Sequence, residues 1–181
     1  MSQIPNYLQQ FILGVFDPPG NGNCGFHCIA QALGYIDNGW LRVQKEMVKE
    51  ATKNRGVYSK LQGGEGQLKS VIESLTVENE EANIGCDQWL SKLAHGQIIA
   101  NTYGRPVVFL SIKDCSTYLP LCVGPGDSVP IYLLYVDDSH WVLANVGGKD
   151  GVKPIPPPVL ATRVTSKIAK EWISHIEKGV F

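Results

Sequence analysis

The run Asn21-Gly22-Asn23-Cys24-Gly25-Phe26-His27-Cys28 sets a cysteine where a glycine-rich turn gives way to an apolar stretch. Far downstream, Ser139-His140-Trp141 sets a histidine beside an aromatic residue. A thiol at the start of a helix gains twice. The positive end of the helix dipole stabilises its thiolate, and the unbonded N–H groups of the first turn can bind an oxyanion. A histidine brought in on a strand supplies the base such a thiol needs. The chemistry these residues fit is that of a Cys/His hydrolase.

Cys24 precedes the apolar periodicity of Phe26, Ile29, Ala30, Leu33 and Tyr35, so it sits at the junction and not within the buried face. Cys28, one turn on, reads as a small core residue. An activated Cys24 should titrate below the free-thiol value of ~8.5 and be alkylated by iodoacetamide ahead of Cys28, Cys86, Cys115 and Cys122. A zinc site built on Cys24, His27 and Cys28 is disfavoured, because no paired Cys-x-x-Cys is present and His27 falls on a different helical face. His27, His95 and His175 read as packing or surface residues, His95 at a helix end beside Gly96.

The elements that must position these groups are helical first, strand-rich late and helical again at the end. Residues 24–35 form the helix led by Cys24. Asn38 is placed to cap a helix over about 39–53, with Leu41, Val43, Met47, Val48 and Ala51 inward. Gly63-Gly64-Glu65-Gly66 breaks the chain before a helix at about 67–75, and Val77 to Glu81 reads as a polar loop. A pair of helices is expected at about 87–94 and 96–103, with Trp89 and Leu93 on a shared core face. Loops are expected near 55–66 and 113–129. Pro106–Ile112, Ile131–Tyr135 and Trp141–Val146 read as strands, the last two joined by a turn at Asp137-Asp138-Ser139 that leaves His140 at its exit. Lys153-Pro154-Ile155-Pro156-Pro157-Pro158 should be extended, a stiff spacer that lays a final helix (about 164–178, with Val164, Ile168, Trp172, Ile173 and Ile176 inward) on the domain.

The chain has 181 residues, 44% of them hydrophobic and 18% charged, which suits one self-folding domain. Sixteen Lys+Arg against 17 Asp+Glu leave a formal net charge of −1, which gives no support for nucleic acid as the main partner. Five cysteines, an odd number without framework spacing, suit a reducing compartment, so a cytoplasmic location is expected, with the nucleus as the alternative. The stretch Tyr7 to Phe16 lacks the features of a signal peptide, and no run approaches membrane-spanning length.

Pro19-Gly20-Asn21-Gly22-Asn23-Cys24-Gly25-Phe26 resembles the signature of ovarian-tumour (OTU) cysteine proteases, usually Asp-Gly-Asn-Cys followed by an aromatic or apolar residue. Ile131-Tyr132-Leu133-Leu134-Tyr135 with Ser139-His140-Trp141 is similar to the hairpin that carries that family's histidine. Trp89-Leu90-Ser91-Lys92-Leu93-Ala94 and Tyr103-Gly104-Arg105-Pro106-Val107 resemble its middle helices and following strand. In order, these pieces cover roughly residues 15 to 146. The resemblance implies an α+β, papain-like fold with a small sheet flanked by helical lobes, in one domain over 1–181 with a spacer at 153–158 and a last helix within 163–181.

It also implies a deubiquitinase that cleaves the bond after the C-terminal glycine of ubiquitin or a related modifier, acting as a monomer with no metal or organic cofactor, nucleic acid or membrane. By position, Cys24 is the nucleophile, His140 the general base, and the amides of Gly22, Asn23 and Cys24 the oxyanion hole. The family orients its histidine with an Asp three residues before Cys or an Asp/Asn two residues after His. Those positions here hold Asn21 and Val142. Asparagine can hold an imidazole through its side-chain oxygen, so Asn21 is the first candidate, with Asp17, Asn23 and Asn145 behind it; Asn21 equally suits a plain turn. Asp127, Asp137 and Asp138 are candidates to meet the basic tail of ubiquitin. Two alternatives stand beside this reading: a catalytically weak ubiquitin-binding pseudoenzyme, and a polyprotein-processing cysteine protease of a virus or mobile element.

Overall fold

A computed structural model describes residues 4–77, 84–148, 152–159 and 167–178. The chain runs α1 (Asn6–Gln9), β1 (Ile12–Phe16), α2 (Cys24–Leu33), α3 (Gly39–Lys53), α4 (Arg55–Gln62), α5 (Glu65–Ser74), a 3-10 turn at Cys86–Gln88, α6 (Lys92–Tyr103), β2 (Val107–Leu110), β3 (Ser116–Tyr118), β4 (Ile131–Val136), β5 (His140–Val146) and α7 (Lys167–Glu177).

The five strands form one mixed sheet in the order β1-β5-β4-β2-β3. β2 and β4 are parallel; the other neighbours are antiparallel. β2 and β4 are continuous apolar runs because the sheet is covered on both faces. One face carries Phe109, Ile131, Leu133 and Trp141, packed under Phe26, Ile29 and the other apolar residues of the helical lobe. The opposite face packs Val108, Leu110, Tyr132, Leu134, Val142, Ala144 and Val146 with Leu8.

α2 closes in a Schellman arrangement at Gly34, with the N–H of Tyr35 bonded to Ala30 O (2.9 Å) and that of Gly34 to Gln31 O (3.1 Å). Asn38 precedes α3 as expected, but in a left-handed conformation and without a side-chain cap. α3 buries Leu41, Val43, Met47 and Ala51, while Val48 is only half-buried.

Several expectations are corrected. The stretch expected as a loop at 55–66 holds α4. The two helices expected at 87–94 and 96–103 are a 3-10 turn followed by a single helix, because Ser91 caps α6 by accepting from the N–H of Ala94. Trp89 and Leu93 therefore share no helical face: they are 36% and 78% exposed, and Leu90 is the buried residue of that segment. Residues 95–101 of α6 are buried one after another as the helix threads the core, so His95 lies inside it at 1% exposure and not at a surface end. β1 and β3 were not anticipated. Both are edge strands; β1 is mostly exposed and interrupted by Gly14, and β3 is a short polar segment within the expected 113–129 loop.

The spacer lies along β3: the N–H of Thr117 bonds Pro157 O (3.2 Å), that of Val159 bonds Thr117 O (2.7 Å), and the Thr117 hydroxyl bonds Pro156 O (2.8 Å). α7 docks through Trp172, fully buried, whose indole donates to Val123 O at 2.7 Å. Val164 and most of the polar stretch after Val77 lie outside the described residues.

Candidate active site

Two local structures set Cys24 against the strand that His140 begins. Cys24 is the first residue of α2, behind a turn whose Gly22 has φ +85°, a conformation that favours glycine. His140 is the first residue of β5, behind a turn whose two central residues, Asp137 and Asp138, have φ +52° and +53° and which the Ser139 N–H closes onto Val136 O at 3.2 Å. Paired left-handed residues match the twist of a hairpin, and Asp tolerates that region. Packing of α2 across β5 then seats the backbone N–H of Trp141 on Cys24 Sγ at 3.4 Å.

The partner of His140 is Asp17. Its Oδ1 lies 2.7 Å from His140 Nε2. β1 pairs with β5, Phe16 standing opposite Leu143, so the residue that follows β1 is delivered to the start of β5. An ionised carboxylate only accepts, so it fixes the proton on Nε2 and leaves Nδ1 as the basic nitrogen. The Asp17 side chain is 73% exposed and that of His140 20%. The pair thus has access to solvent while the imidazole stays packed.

The remaining candidates fall elsewhere. Asn21 Oδ1, the atom that would hold an imidazole, accepts the N–H of Asn23 at 3.1 Å, and Asn21 Nδ2 lies 3.5 Å from His27 Nε2. Its place is the turn, on His27, while Asp17 is on His140. That same bond engages the Asn23 amide, so of the three oxyanion donors named from the sequence, those of Gly22 and Cys24 are the ones it leaves. Asn23 itself is 2% exposed. Asn145 is five residues further along β5, ~17 Å at the strand rise, beside Gly14. Val142 packs into the core on the opposite face of the sheet.

Cys28 differs from Cys24 although it is one turn away on the same helix. It is fully buried, it donates to Trp141 O at 3.4 Å, and burial, followed by the charges of Cys24 and Asp17, pushes its thiol well above the usual range. His27 stacks at 5.9 Å against Trp40, and burial lowers its pKa. Among the described residues no group of three or more His, Cys, Asp or Glu side chains could hold a metal ion.

A third segment presses on the nucleophile turn. A Cβ on Gly25 would lie 2.7 Å from Leu90 Cβ, and one on Gly22 would lie 2.8 Å from Ile84 Cβ and 3.0 Å from Trp89 Nε1. Leu90 O in turn accepts the Trp141 indole N–H at 3.1 Å. The 84–90 segment therefore clamps the cysteine turn and the histidine strand to one another. The sequence places Trp89 and Leu90 on a helix expected at about 87–94, which hides this contact; the glycines at 22 and 25 are its signal.

This is an α+β, papain-like architecture, and the fold is that of an OTU domain. The Hazara virus OTU, solved bound to ubiquitin, matches with a TM-score of 0.53 at 14% identity over 81% of this chain and 87% of that one. The viral OTU domain protease of Dera Ghazi Khan virus matches with a TM-score of 0.54 at 12% identity, over 78% of this chain and 85% of that one. In sequence, no family model and no curated protein matches.

Proposed function

We propose that the chain is a cysteine-type deubiquitinase, hydrolysing the isopeptide or peptide bond after the C-terminal glycine of ubiquitin or a ubiquitin-like modifier. The observation that carries this reading is the line from Asp17 through His140 to the strand whose next amide sits on Cys24 Sγ. Cys24 is the nucleophile, His140 the base, and Asp17 the group that orients His140.

His140 Nδ1 takes the thiol proton and the thiolate adds to the glycine carbonyl. The oxyanion that forms is met by the amides at the start of α2, that of Cys24 first. The imidazolium, stabilised by the Asp17 carboxylate, returns its proton to the departing lysine amine, breaking the C–N bond. Water, deprotonated by His140, then attacks the thioester and releases the carboxylate. No step requires a metal or cofactor. Asp137 and Asp138, in the turn that delivers His140, are placed to meet a basic modifier tail. Asp138 is shared with Lys113 at 2.7 Å. A monomer working in the cytoplasm suits this reading.

The test is incubation with ubiquitin carrying an electrophilic C-terminal warhead, alongside Cys24→Ala. A covalent adduct with the parent chain that is absent from the variant supports the reading. A folded parent chain that labels neither with this probe nor with a panel of ubiquitin-like probes overturns it in favour of a pseudoenzyme.

A further inference from the structure

At the other end of α2 from Cys24, the helix and the sheet part to leave a cavity of about 450 Å³. Its walls include Phe16 of β1, Leu143 and Asn145 of β5, and Ile131 at the start of β4. This volume falls within the ~300–1,000 Å³ usual for small-molecule sites. The lining is mainly apolar, but it contains two cations, Arg105 and Lys153, and no carboxylate.

Among the described residues, neither Arg105 nor Lys153 forms an ion pair, and the Nε of Arg105 is buried with no hydrogen bond. A buried donor on a charged group left unmatched is costly, and such an atom calls for an acceptor. One acid of this region is already committed. Glu46 binds the hydroxyl of Tyr35, which lies within electrostatic reach of Arg105, but its Oε2 is shared by Tyr35 (2.9 Å) and Tyr103 (3.1 Å) and its Oε1 takes Arg42 (2.9 Å).

We propose that this cavity is a binding site for a small organic phosphate monoester with an apolar body. Charge selects the headgroup: two unmatched cations complement a phosphate monoester, which carries about −1.5 to −2 at neutral pH, better than a single carboxylate. A guanidinium also supplies the planar donors that a phosphate accepts. The apolar walls select the body, since inorganic phosphate would leave Phe16, Ile131 and Leu143 facing water. The cavity is lined by neither Cys24, His140 nor Asp17 and is independent of the proposed protease reaction, so it is tested by binding alone.

The test is titration of the full chain with hexyl phosphate, followed through its amide resonances, with inorganic phosphate and hexanol tested separately. Saturable shifts centred on Gly14, Ala32 and Asn145 are expected, with an affinity at least about tenfold above that for inorganic phosphate, or ~1.4 kcal/mol. Arg105→Gln and Lys153→Gln should each weaken binding about fivefold or more. The proposal is overturned by shifts centred elsewhere, by equal affinity for inorganic phosphate, or by unchanged affinity in both variants. Should Arg105→Gln fail to fold, Lys153→Gln decides alone.

Discussion

The cleft and the interior of α6 each hold a histidine in a web of polar contacts, and they differ in the charge and exposure of the partners. At the cleft, His140 meets a carboxylate that is mostly in water. In α6, His95 is 1% exposed; its Nδ1 accepts the Ser91 N–H at 3.0 Å, and Nε2 lies 3.4 Å from the Ser74 hydroxyl. Beside it, Gln97 donates to Leu119 O (2.8 Å) and to Asn101 Oδ1 (3.1 Å), and Asn101 donates to the Tyr58 hydroxyl (2.9 Å). His95, Gln97 and Asn101 meet neutral partners, and a charge enters only at the end, where the Tyr58 hydroxyl donates to Glu50 Oε1 at 2.9 Å; buried groups satisfied in this way fix a structure. The arrangement at His140 suits the proton transfer proposed for it, and that at His95 suits a structural role.

Variants that separate turnover from stability probe this contrast. The largest effect is expected for His140→Ala, with loss of ubiquitin cleavage by ~10⁴-fold or more and an unfolding midpoint close to that of the parent. A matching loss of stability would mean that the cleft is held together by the histidine it uses. Asp17→Asn should lower kcat by about 10²-fold, since an amide no longer stabilises the imidazolium. A variant that turns over at the parent rate would remove Asp17 from the reaction.

His95 gives the complementary result. Burial lowers its pKa to about 4, whereas the unfolded chain protonates it near ~6.5. Protons therefore bind the unfolded state preferentially, and stability falls as the pH drops from 6.5 to 4, by up to ~3 kcal/mol from this group. His95→Gln, which cannot take that proton, should flatten this part of the profile in urea titrations at pH 7 and pH 4.5, with little change in activity at pH 7. Equal slopes for parent and variant would show that His95 does not carry the pH dependence. Asn21→Ala should have the smallest effect, under about threefold on kcat, because its oxygen serves the turn. A loss as large as that from Asp17→Asn would return it to the reaction.

What was legible in the sequence follows the range of the interactions. The start of α2, the hairpin of β4 and β5 and the extent of α3 are written in local signals: a glycine turn before an apolar run, a pair of aspartates between two apolar stretches, an amphipathic period. The partner of His140 is not local. Asp17 arrives only because β1 pairs with β5, and β1, a short apolar run from Phe11 to Phe16 interrupted by Gly14 and mostly exposed, carries no local signal of which strand it joins. The family position at Asn21 pointed to a side chain whose oxygen the neighbouring amide occupies. The α6 region was misread for a related reason: a helix buried on every side has no amphipathic phase from which its start can be set.

The two edges of the sheet are unequal. Beyond β3 lies a segment in which three of four consecutive residues, Pro156, Pro157 and Pro158, have no N–H to offer a further strand. Among the described residues no strand pairs with the outer side of β1, and Leu13 and Val15 along it are 70% and 53% exposed. Growth of this sheet is therefore one-directional. Two copies meeting at β1 close as a pair whose outer rims are both blocked, so association through this edge ends at two and does not propagate into a fibre.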